Sequence, residues 1–261
     1  METLNFLLFP FLACLLLIAI HAYFGIHILE RGIIFVDLAL AQFIGIALAF
    51  VLGEEKSVPL SLLFAFLGAF ILSLSKQAAR QVNIEAFIGV LYIFSYSFSI
   101  LILDHSPHGL EEFKAIMNGN IIWVTPKEVL YTFLVYAVVG IFHFLFRKQF
   151  FALSFERKGG MLLEFLFFAS FAIVLVKSVA MAGILQVFSF LIIPALIGRL
   201  FFKDPLRMLL TGWLAGVLVS MMGIFASLKL DLPTSPAIVA GLALMFFLLL
   251  AGKALTGATR R

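Results

Sequence analysis

The sequence predicts an all-α, polytopic bundle of transmembrane helices, and its composition and the length of its apolar runs are the observations behind this prediction. Hydrophobic residues make up 64% of the 261 residues and charged residues 12%, whereas a soluble domain has about half and about a quarter. Most of the chain therefore requires lipid as its surroundings. Only helices and closed barrels satisfy their backbone in lipid, and the runs are long and lack a two-residue alternation. A helical bundle follows.

Nine apolar runs are long enough to cross about 30 Å of hydrocarbon as helices. They lie near 4–29, 33–52, 58–75, 86–103, 129–146, 161–176, 179–198, 208–228 and 236–252. The sixth run is short and contains Glu164, so a bundle of eight spans is the alternative. Residues 1–20 lack a basic leading region and a clear cleavage site, so we assign them to the first span and not to a signal peptide.

The distribution of lysine and arginine predicts the orientation of the bundle. Thirteen of these residues fall in the loops that follow the odd-numbered spans, and five fall in the opposite loops. The positive-inside rule therefore places the C-terminus in the cytoplasm and the N-terminus outside. Nine spans are preferred over eight, because removing the sixth would put the last two basic clusters outside. The net charge of +4 then reflects orientation in the membrane, and no nucleic-acid partner is expected.

No segment is long or polar enough to form a second domain, so residues 1–261 are expected to make a single transmembrane domain. The largest hydrophilic insert, 103–128, lies outside in this topology, and a short surface helix is expected at 109–117.

Motifs for enzymatic chemistry are missing from the sequence. The Gly-Lys pair in AGKAL (251–255) lacks the earlier glycine and the following Ser or Thr of a phosphate-binding loop. Motifs of the HExxH, CxxC and GxSxG types are also missing. The intramembrane polar residues do not combine into a nucleophile with an acid and a base. We therefore expect a transport subunit or a structural membrane protein, and not an enzyme.

Five stretches of sequence resemble, in order, the permease subunits of ATP-binding-cassette importers for zinc, manganese or iron chelates. They are EAFIGVLY (85–92), MNGNIIWVTPKEV (117–129), FERKGG (155–160), GILQVFSFLIIPALIGRLF (183–201) and LKLDLPTSPAIVA (228–240). The stretches that contain proline are the most specific of the five. The resemblance extends over nearly the whole chain.

This resemblance implies a homodimer of permease subunits in a bacterial-type plasma (inner) membrane. It also implies separate ATPase subunits, an extracytoplasmic metal-binding protein, a divalent metal ion as substrate and no permanently bound cofactor. ATP hydrolysis would then belong to another chain, which accounts for the missing nucleotide site. In the loop 147–160, cytoplasmic by its charges, Glu156, Arg157 and Gly160 are the candidates for contact with the ATPase. The alternative is an ordinary solvated basic loop.

The second span departs from the pattern of that family. Family members typically carry Gly-Asp-Ala-x-x-His there, in which the Asp and the His grip a divalent ion. Here the matching stretch is DLALAQ (37–42), with Leu38 at the position of the Asp and Gln42 at the position of the His. Both usual ligands are therefore absent, which leaves the transported ion open.

Asp37 and Gln42 are nevertheless the leading pathway candidates, because an acid buried in a membrane span is costly and commonly functional. Glu85, at the start of the fourth span, is a further pathway candidate, and His27, late in the first span, is a candidate metal ligand. The alternative is structural. Asp37 lies about one turn from the interface, where it could snorkel, pair with Arg31 or favour the helix dipole.

A second candidate metal site lies in the outer insert and consists of Asp104, His105 and His108. The two histidines are three residues apart and reach one ion if the chain turns at Pro107. Such a site would face the binding protein. The alternative is a polar loop rich in turn-forming residues.

Pro194, inside the seventh span, is the last pathway candidate. It frees a backbone carbonyl and is expected to kink the helix, and broken helices line the cavities of transporters. The alternative is a packing kink whose free carbonyl is satisfied by the nearby Ser189.

The predicted function is ATP-driven import of divalent metal ions. The alternatives are a self-contained secondary transporter or channel, a family member with a changed substrate, and a membrane scaffold without transport activity.

Overall fold

The computed structural model describes residues 2–51, 57–74, 82–105, 108–119 and 121–258, and all regular secondary structure in these residues is helical. The helices are α1 (Glu2–Arg31), α2 (Val36–Val51), α3 (Ser57–Ser73), α4 (Ile84–Leu103), α5 (Gly109–Asn118), a 3-10 turn (Ile121–Trp123), α6 (Pro126–Leu145), α7 (Arg147–Phe155), α8 (Met161–Phe201), α9 (Pro205–Leu230) and α10 (Thr234–Ala258). The predicted all-α fold is confirmed. Helix α5 also matches the surface helix expected at 109–117.

Six of the described helices, α1, α4, α6, α8, α9 and α10, are long and apolar enough to cross a membrane. Helices α2 and α3 are also apolar but shorter, with apolar stretches Val36–Phe50 and Val58–Ser73. The chain is therefore a multi-pass membrane protein. Five of the lysines and arginines counted above for the orientation lie outside the described residues, as does Pro107 of the outer insert. The five are Lys56, Lys76, Arg80, Arg260 and Arg261.

Local chemistry explains where several helices begin and end. The Asn83 side chain accepts a hydrogen bond from the amide of Ala86 and caps α4. Thr125 and Glu128 form a reciprocal capping box at the start of α6. At the start of α9, the Asp204 carboxylate accepts from the amide of Arg207 at 2.9 Å. These side chains satisfy amides that have no partner inside the helix.

Helix α8 is two antiparallel segments and not one rod. A straight helix of its 41 residues would be about 60 Å long, twice the thickness of the hydrocarbon layer. Near its start Glu164 pairs with Arg31, and near its end the Arg199 guanidinium lies 3.7 Å from the Glu30 carboxylate. Because Glu30 and Arg31 are neighbours at the C-terminal end of α1, both ends of α8 lie at the same end of the molecule.

The reversal in α8 occurs at Gly183, whose φ of 76° and ψ of 166° are not helical. This φ is costly for residues with a Cβ, and a Cβ here would also lie 2.2 Å from the backbone nitrogen of Gly119. The sequence placed the boundary between the sixth and seventh spans at 177–178. The structure moves it to Gly183, because the chain continues as helix through Lys177.

The two segments of α8 form the centre of the bundle and pack against α1, α3, α9 and α10. Small residues allow the closest approaches. A Cβ on Gly25 would lie 1.9 Å from the carbonyl oxygen of Leu191, and one on Gly212 would lie 2.6 Å from that of Pro194. The short spacing of glycines in GWLAG (212–216) thus marks a real helix contact.

Candidate functional site

Asp37 is fully buried in the first turn of α2, and neither of its carboxylate oxygens has a hydrogen-bond partner among the described residues. Helix α2 packs against α3, α4 and α8. A buried carboxylate without a partner is strongly unfavourable, because it has lost its hydration and gained nothing in exchange. Such a group in a membrane span is a candidate site for a cation.

Two of the three structural alternatives for Asp37, a pair with Arg31 and snorkelling, are contradicted, whereas its place in the first turn of α2 agrees with the third, a favourable interaction with the helix dipole. Arg31 pairs with Glu164, and its guanidinium lies between the rings of Phe167 and Phe168, at 5.0 and 4.8 Å from the ring centroids. Snorkelling is excluded because Asp37 has no exposed surface. The ion pair also explains why an acid, Glu164, occurs in an apolar run.

Glu85 lies beside the start of α2. Its Oε1 accepts a hydrogen bond of 3.1 Å from the backbone nitrogen of Phe35, two positions before Asp37. Its Oε2 is buried and has no partner in the described part of the chain. Glu85 therefore fixes the entrance of α2 with one oxygen and leaves the other oxygen available.

Gln42 lies farther along the contact between α2 and α4. Its Nε2 donates to Met117 Sδ of α5 at 3.6 Å, and its Oε1 is buried without a partner. The position of a Cβ on Gly45 would be 3.7 Å from Gln42 Oε1 and 3.9 Å from Ser99 Oγ. The residues near 35 thus meet those near 85, and the residues near 45 meet those near 99, so α2 and α4 run parallel.

Ser95, which was not identified as a candidate from the sequence, belongs to the same set of residues. Ser95 Oγ is fully buried and unpartnered, while Ser99 Oγ donates to the carbonyl of Ser95 at 2.9 Å. We call the set Asp37, Gln42, Glu85 and Ser95 the α2/α4 polar strip. Each of the four side chains has a buried oxygen without a partner among the described residues, and oxygen is the ligand atom that hard divalent cations prefer. Asp37 and Gln42 are five residues apart, about 140° around α2, and so they do not lie on one face of that helix.

His27, the candidate ligand in α1, lies in a different cluster. Its Nδ1 is 2.9 Å from Ser154 Oγ of α7, and its ring packs against that of Tyr23 at 4.8 Å between centroids. The Tyr23 hydroxyl in turn is 3.0 Å from Nδ1 of His143, whose Nε2 is 2.8 Å from Ser170 Oγ. His27 therefore joins α1 to α7 and is not brought to Asp37.

The outer candidates Asp104, His105 and His108 are also not brought together. Asp104 caps the end of α4, and His105 Nδ1 lies 3.1 Å from the carbonyl of Leu101 in its own helix. His108 Nδ1 faces Glu111 at 3.5 Å, and both side chains are exposed. Within the residues that the structure describes, no three His, Cys, Asp or Glu side chains form a group that could hold a metal ion.

Pro194 lies in the second segment of α8, where the backbone angles stay helical; the non-helical residue is Gly183. Ser189 Oγ donates to the carbonyl of Leu185 at 2.9 Å, and so it does not satisfy the carbonyl of Phe190 that the proline frees. The Pro194 carbonyl instead packs against Gly212 of α9. The kink expected at Pro194 is not accompanied by non-helical backbone angles, and the reversal at Gly183 is a separate feature, the boundary between the two segments.

The three candidates for ATPase contact lie in the turn between α7 and α8. Arg157, with φ of 59°, donates from its guanidinium to the carbonyls of Arg31 at 3.0 Å and Glu30 at 2.9 Å, and so it caps α1. Glu156 ends α7 and pairs with Lys158 at 2.9 Å. Gly160 starts α8 and is exposed.

Helix α7 is itself anchored, because Phe150, Leu153 and Ser154 are buried and Phe150 stacks on His143 at 4.3 Å between centroids. The segment 147–160 is therefore a packed helix and turn, and the alternative of a plain solvated loop describes only its outer face.

Comparisons with known proteins agree with this architecture. A chain of the solved structure "PsaBC from Streptococcus pneumoniae in complex with Fab" superposes with a TM-score of 0.76, covering 94% of this chain and 90% of that one at 20% identity, which shows a shared fold. A "Probable metal transport system membrane protein" of Chlamydia trachomatis is 26% identical over 234 residues, which are 82% of this chain and 78% of that protein. The "Manganese transport system membrane protein MntB" of Synechocystis is 23% identical over 215 residues, 80% of this chain and 69% of that protein.

A family model described as "ABC 3 transport family" matches residues 3–253. This match extends over nearly all of the helical bundle, including the α2/α4 polar strip and the α7–α8 turn. The chain therefore belongs to the ABC 3 transport family and is a membrane transport component, not an enzyme.

Proposed function

We propose that this chain is the permease subunit of an ATP-driven importer that moves divalent metal ions into the cytoplasm. The observation that carries the proposal is the fully buried Asp37 carboxylate, whose two oxygens have no partner among the described residues. Membership of the transport family and the printed names of the relatives support it. A passing cation would supply the missing partner.

We further propose manganese as the preferred ion. The unsatisfied atoms of the α2/α4 polar strip are oxygens, from carboxylates, an amide and a hydroxyl. Manganese accepts such ligands readily, whereas zinc favours imidazole and thiolate. Gln42 stands where an imidazole would occur in the family pattern described above, which weakens the case for zinc.

The proposed topology has nine spans, with the N-terminus outside and the C-terminus in the cytoplasm of a bacterial-type inner membrane. The antiparallel segments of α8 support two crossings there, and the parallel run of α2 and α4 requires α3 to return between them. The charge of the loops supports the orientation.

The proposed assembly is a homodimer that binds two ATPase subunits at the α7–α8 turns and an extracytoplasmic binding protein at the opposite end. Glu156 and Gly160 offer an exposed surface for the ATPase. Arg157 would transmit a push on this turn, because it holds the carbonyls of Glu30 and Arg31 at the end of α1.

The test is manganese uptake into proteoliposomes that contain the reconstituted complex. Asp37→Asn should reduce ATP-driven uptake by at least about tenfold, since one charged ligand is lost, while the ATPase still co-purifies. Asp231→Asn is the matched control, because Asp231 is exposed, lies outside the strip and has a left-handed backbone conformation that Asn also tolerates. Full uptake by Asp37→Asn would contradict the pathway.

Uptake at full rate without any ATPase would instead establish the rival function, a self-contained secondary transporter or channel.

A further inference from the structure

A groove between α6 and the first segment of α8 has no part in the transport pathway proposed above. Its volume is about 480 Å³, and it is lined by Lys127, Tyr131 and Lys177, with Met181 on its wall. It lies at the end of the bundle where α6 begins. Two lysines at one groove make its chemistry cationic.

The charge of these two lysines is only partly balanced inside the protein. Glu128 also lines the groove, but its Oε2 accepts two hydrogen bonds of 2.7 Å from the backbone nitrogen and hydroxyl of Thr125. This carboxylate caps α6 and keeps its negative charge, so the two lysines and Glu128 leave the groove with one net positive charge. Neither Lys127 nor Lys177 has an ion pair with any residue that the structure describes.

Lys177 stands in an unfavourable place for an unpaired cation. It is half-buried in the apolar stretch VLVKSVAM (174–181) of α8. Its Nζ lies 5.7 Å from the centroid of the Tyr131 ring, a cation–π contact. Such a contact only partly compensates for an ammonium group placed below the end of a membrane helix. A bound anion would compensate for it more completely.

A stripe of exposed apolar residues continues along α6 from the level of the groove toward the middle of the membrane, but these residues do not line the groove itself. Leu130, Leu134 and Val138 follow one another at four-residue spacing and are 59%, 52% and 68% exposed. Tyrosine and lysine at the end of such a stripe are typical of the boundary between lipid headgroups and hydrocarbon. An acidic segment of a protein partner would match the lysines but would leave this stripe unused.

We propose that this groove binds an anionic phospholipid, with the phosphate between Lys127 and Lys177 and an acyl chain along Leu130, Leu134 and Val138. The site is separate from the α2/α4 polar strip, so its occupancy does not depend on which ion the protein transports. A lipid held there would fix α6 against α8 on the side of the bundle opposite the α7–α8 turn.

Native mass spectrometry of the purified full-length chain, titrated with dioleoylphosphatidylglycerol, tests the proposal. Lys177→Gln should weaken binding about fivefold, and the double variant with Lys127→Gln should weaken it further. Lys177→Arg should retain binding. The matched control is Lys229→Gln, because Lys229 also makes a cation–π contact, at 5.9 Å from the Phe225 ring, but lies outside the groove. Unchanged melting temperatures will show that the variants fold.

Equal binding of the lipid by Lys177→Gln and by the unmodified chain would overturn the proposal, as would equal affinity for dioleoylphosphatidylglycerol and dioleoylphosphatidylcholine. Inorganic phosphate that competes as strongly as the lipid would show an anion site without a lipid. A loss of binding-protein association in Lys177→Gln, with lipid binding intact, would assign the lysines to a protein partner instead.

Discussion

Among the described residues, ionisable Arg, Asp and Glu side chains are buried at two places, and the two places differ in the groups that face them. At the C-terminal end of α1, Arg31 faces Glu164 inside the protein, and Arg157 covers the carbonyls of the last turn. In the α2/α4 polar strip, Asp37 faces no cation and no hydrogen-bond donor among the described residues. The first arrangement contains its own counter-charge, although Nη1 of Arg31 has no hydrogen-bond partner in the part of the chain that the structure describes, and the second contains none.

We therefore assign a structural role to the Arg31–Glu164 pair and keep Asp37 as the candidate for ion binding. Opposite charges that meet within the protein fix α1 to α8 and neutralise each other without a substrate, while Arg157 ties the α7–α8 turn to the end of α1. A buried acid without a partner reduces the stability of the empty protein and is retained where it binds something. Burial alone would not have distinguished Asp37 from Glu164, since both are almost completely buried.

The largest effect is expected from breaking the ion pair at the end of α1. Glu164→Gln should lower the free energy of unfolding by about 3–5 kcal/mol, because Arg31 then remains as a buried charge without its counter-charge. Replacing both residues by apolar ones, with Arg31→Met and Glu164→Leu, should recover most of this loss. Thermal unfolding of the purified chain in detergent measures both; a single variant as stable as the unmodified chain would contradict a structural role for the pair.

In the α2/α4 polar strip we expect the opposite effect, an increase in stability on substitution. Under conditions in which Asp37 is ionised, Asp37→Asn should raise the stability of the metal-free protein by about 1–3 kcal/mol, because it replaces an unpaired buried charge by a neutral amide. It should also abolish the stabilisation that manganese gives to the unmodified chain. Unfolding curves with and without manganese measure both effects, and a loss of stability in the metal-free variant would show that Asp37 has a partner within the protein.

A smaller effect is expected at the α7–α8 turn. Arg157→Gln should reduce the free energy of unfolding by about 1 kcal/mol, since two hydrogen bonds to the end of α1 are lost, one partly buried and one exposed. Its effect on coupling should be greater, with ATP hydrolysis continuing while uptake falls. The neighbouring Lys158→Gln is the control, because Lys158 contacts Glu156 only on the surface. If uptake falls equally in Arg157→Gln and Lys158→Gln, Arg157 has no specific role in coupling ATP hydrolysis to uptake.

The smallest change in stability, within about 1 kcal/mol, is expected for Gln42→His. This substitution adds an imidazole to the strip and should shift ion preference from manganese toward zinc. Competition between the two ions for binding to the purified chain measures the shift. An unchanged preference would show that Gln42 does not contact the ion.

Much of the fold could be predicted from the sequence, because the length of an apolar run and the charge of its flanking loops act locally. The run 161–201 shows the limit of this approach. Lys177 suggested a break beside it, but the helix continues, since a lysine can remain in a helix near the interface by reaching the headgroups. The true break is at Gly183, where only the contact with Gly119 shows that a Cβ could not be accommodated.

The site was predictable only in part, for a related reason. Asp37 and Gln42 were identifiable because acids and amides are rare in membrane spans. Ser95 was not, because serine is common there and its lack of a partner is visible only in three dimensions. The sequence also did not predict that Arg31 pairs with Glu164, because the two residues are 133 positions apart along the chain.

Electron paramagnetic resonance of Mn²⁺ added to the purified chain tests the central claim most directly, because bound and free Mn²⁺ give different spectra. We expect a bound ion in the unmodified chain, none in Asp37→Asn, and normal binding in Asp231→Asn. Equal binding of Mn²⁺ by the unmodified chain and Asp37→Asn would show that Asp37 is not a ligand of the ion.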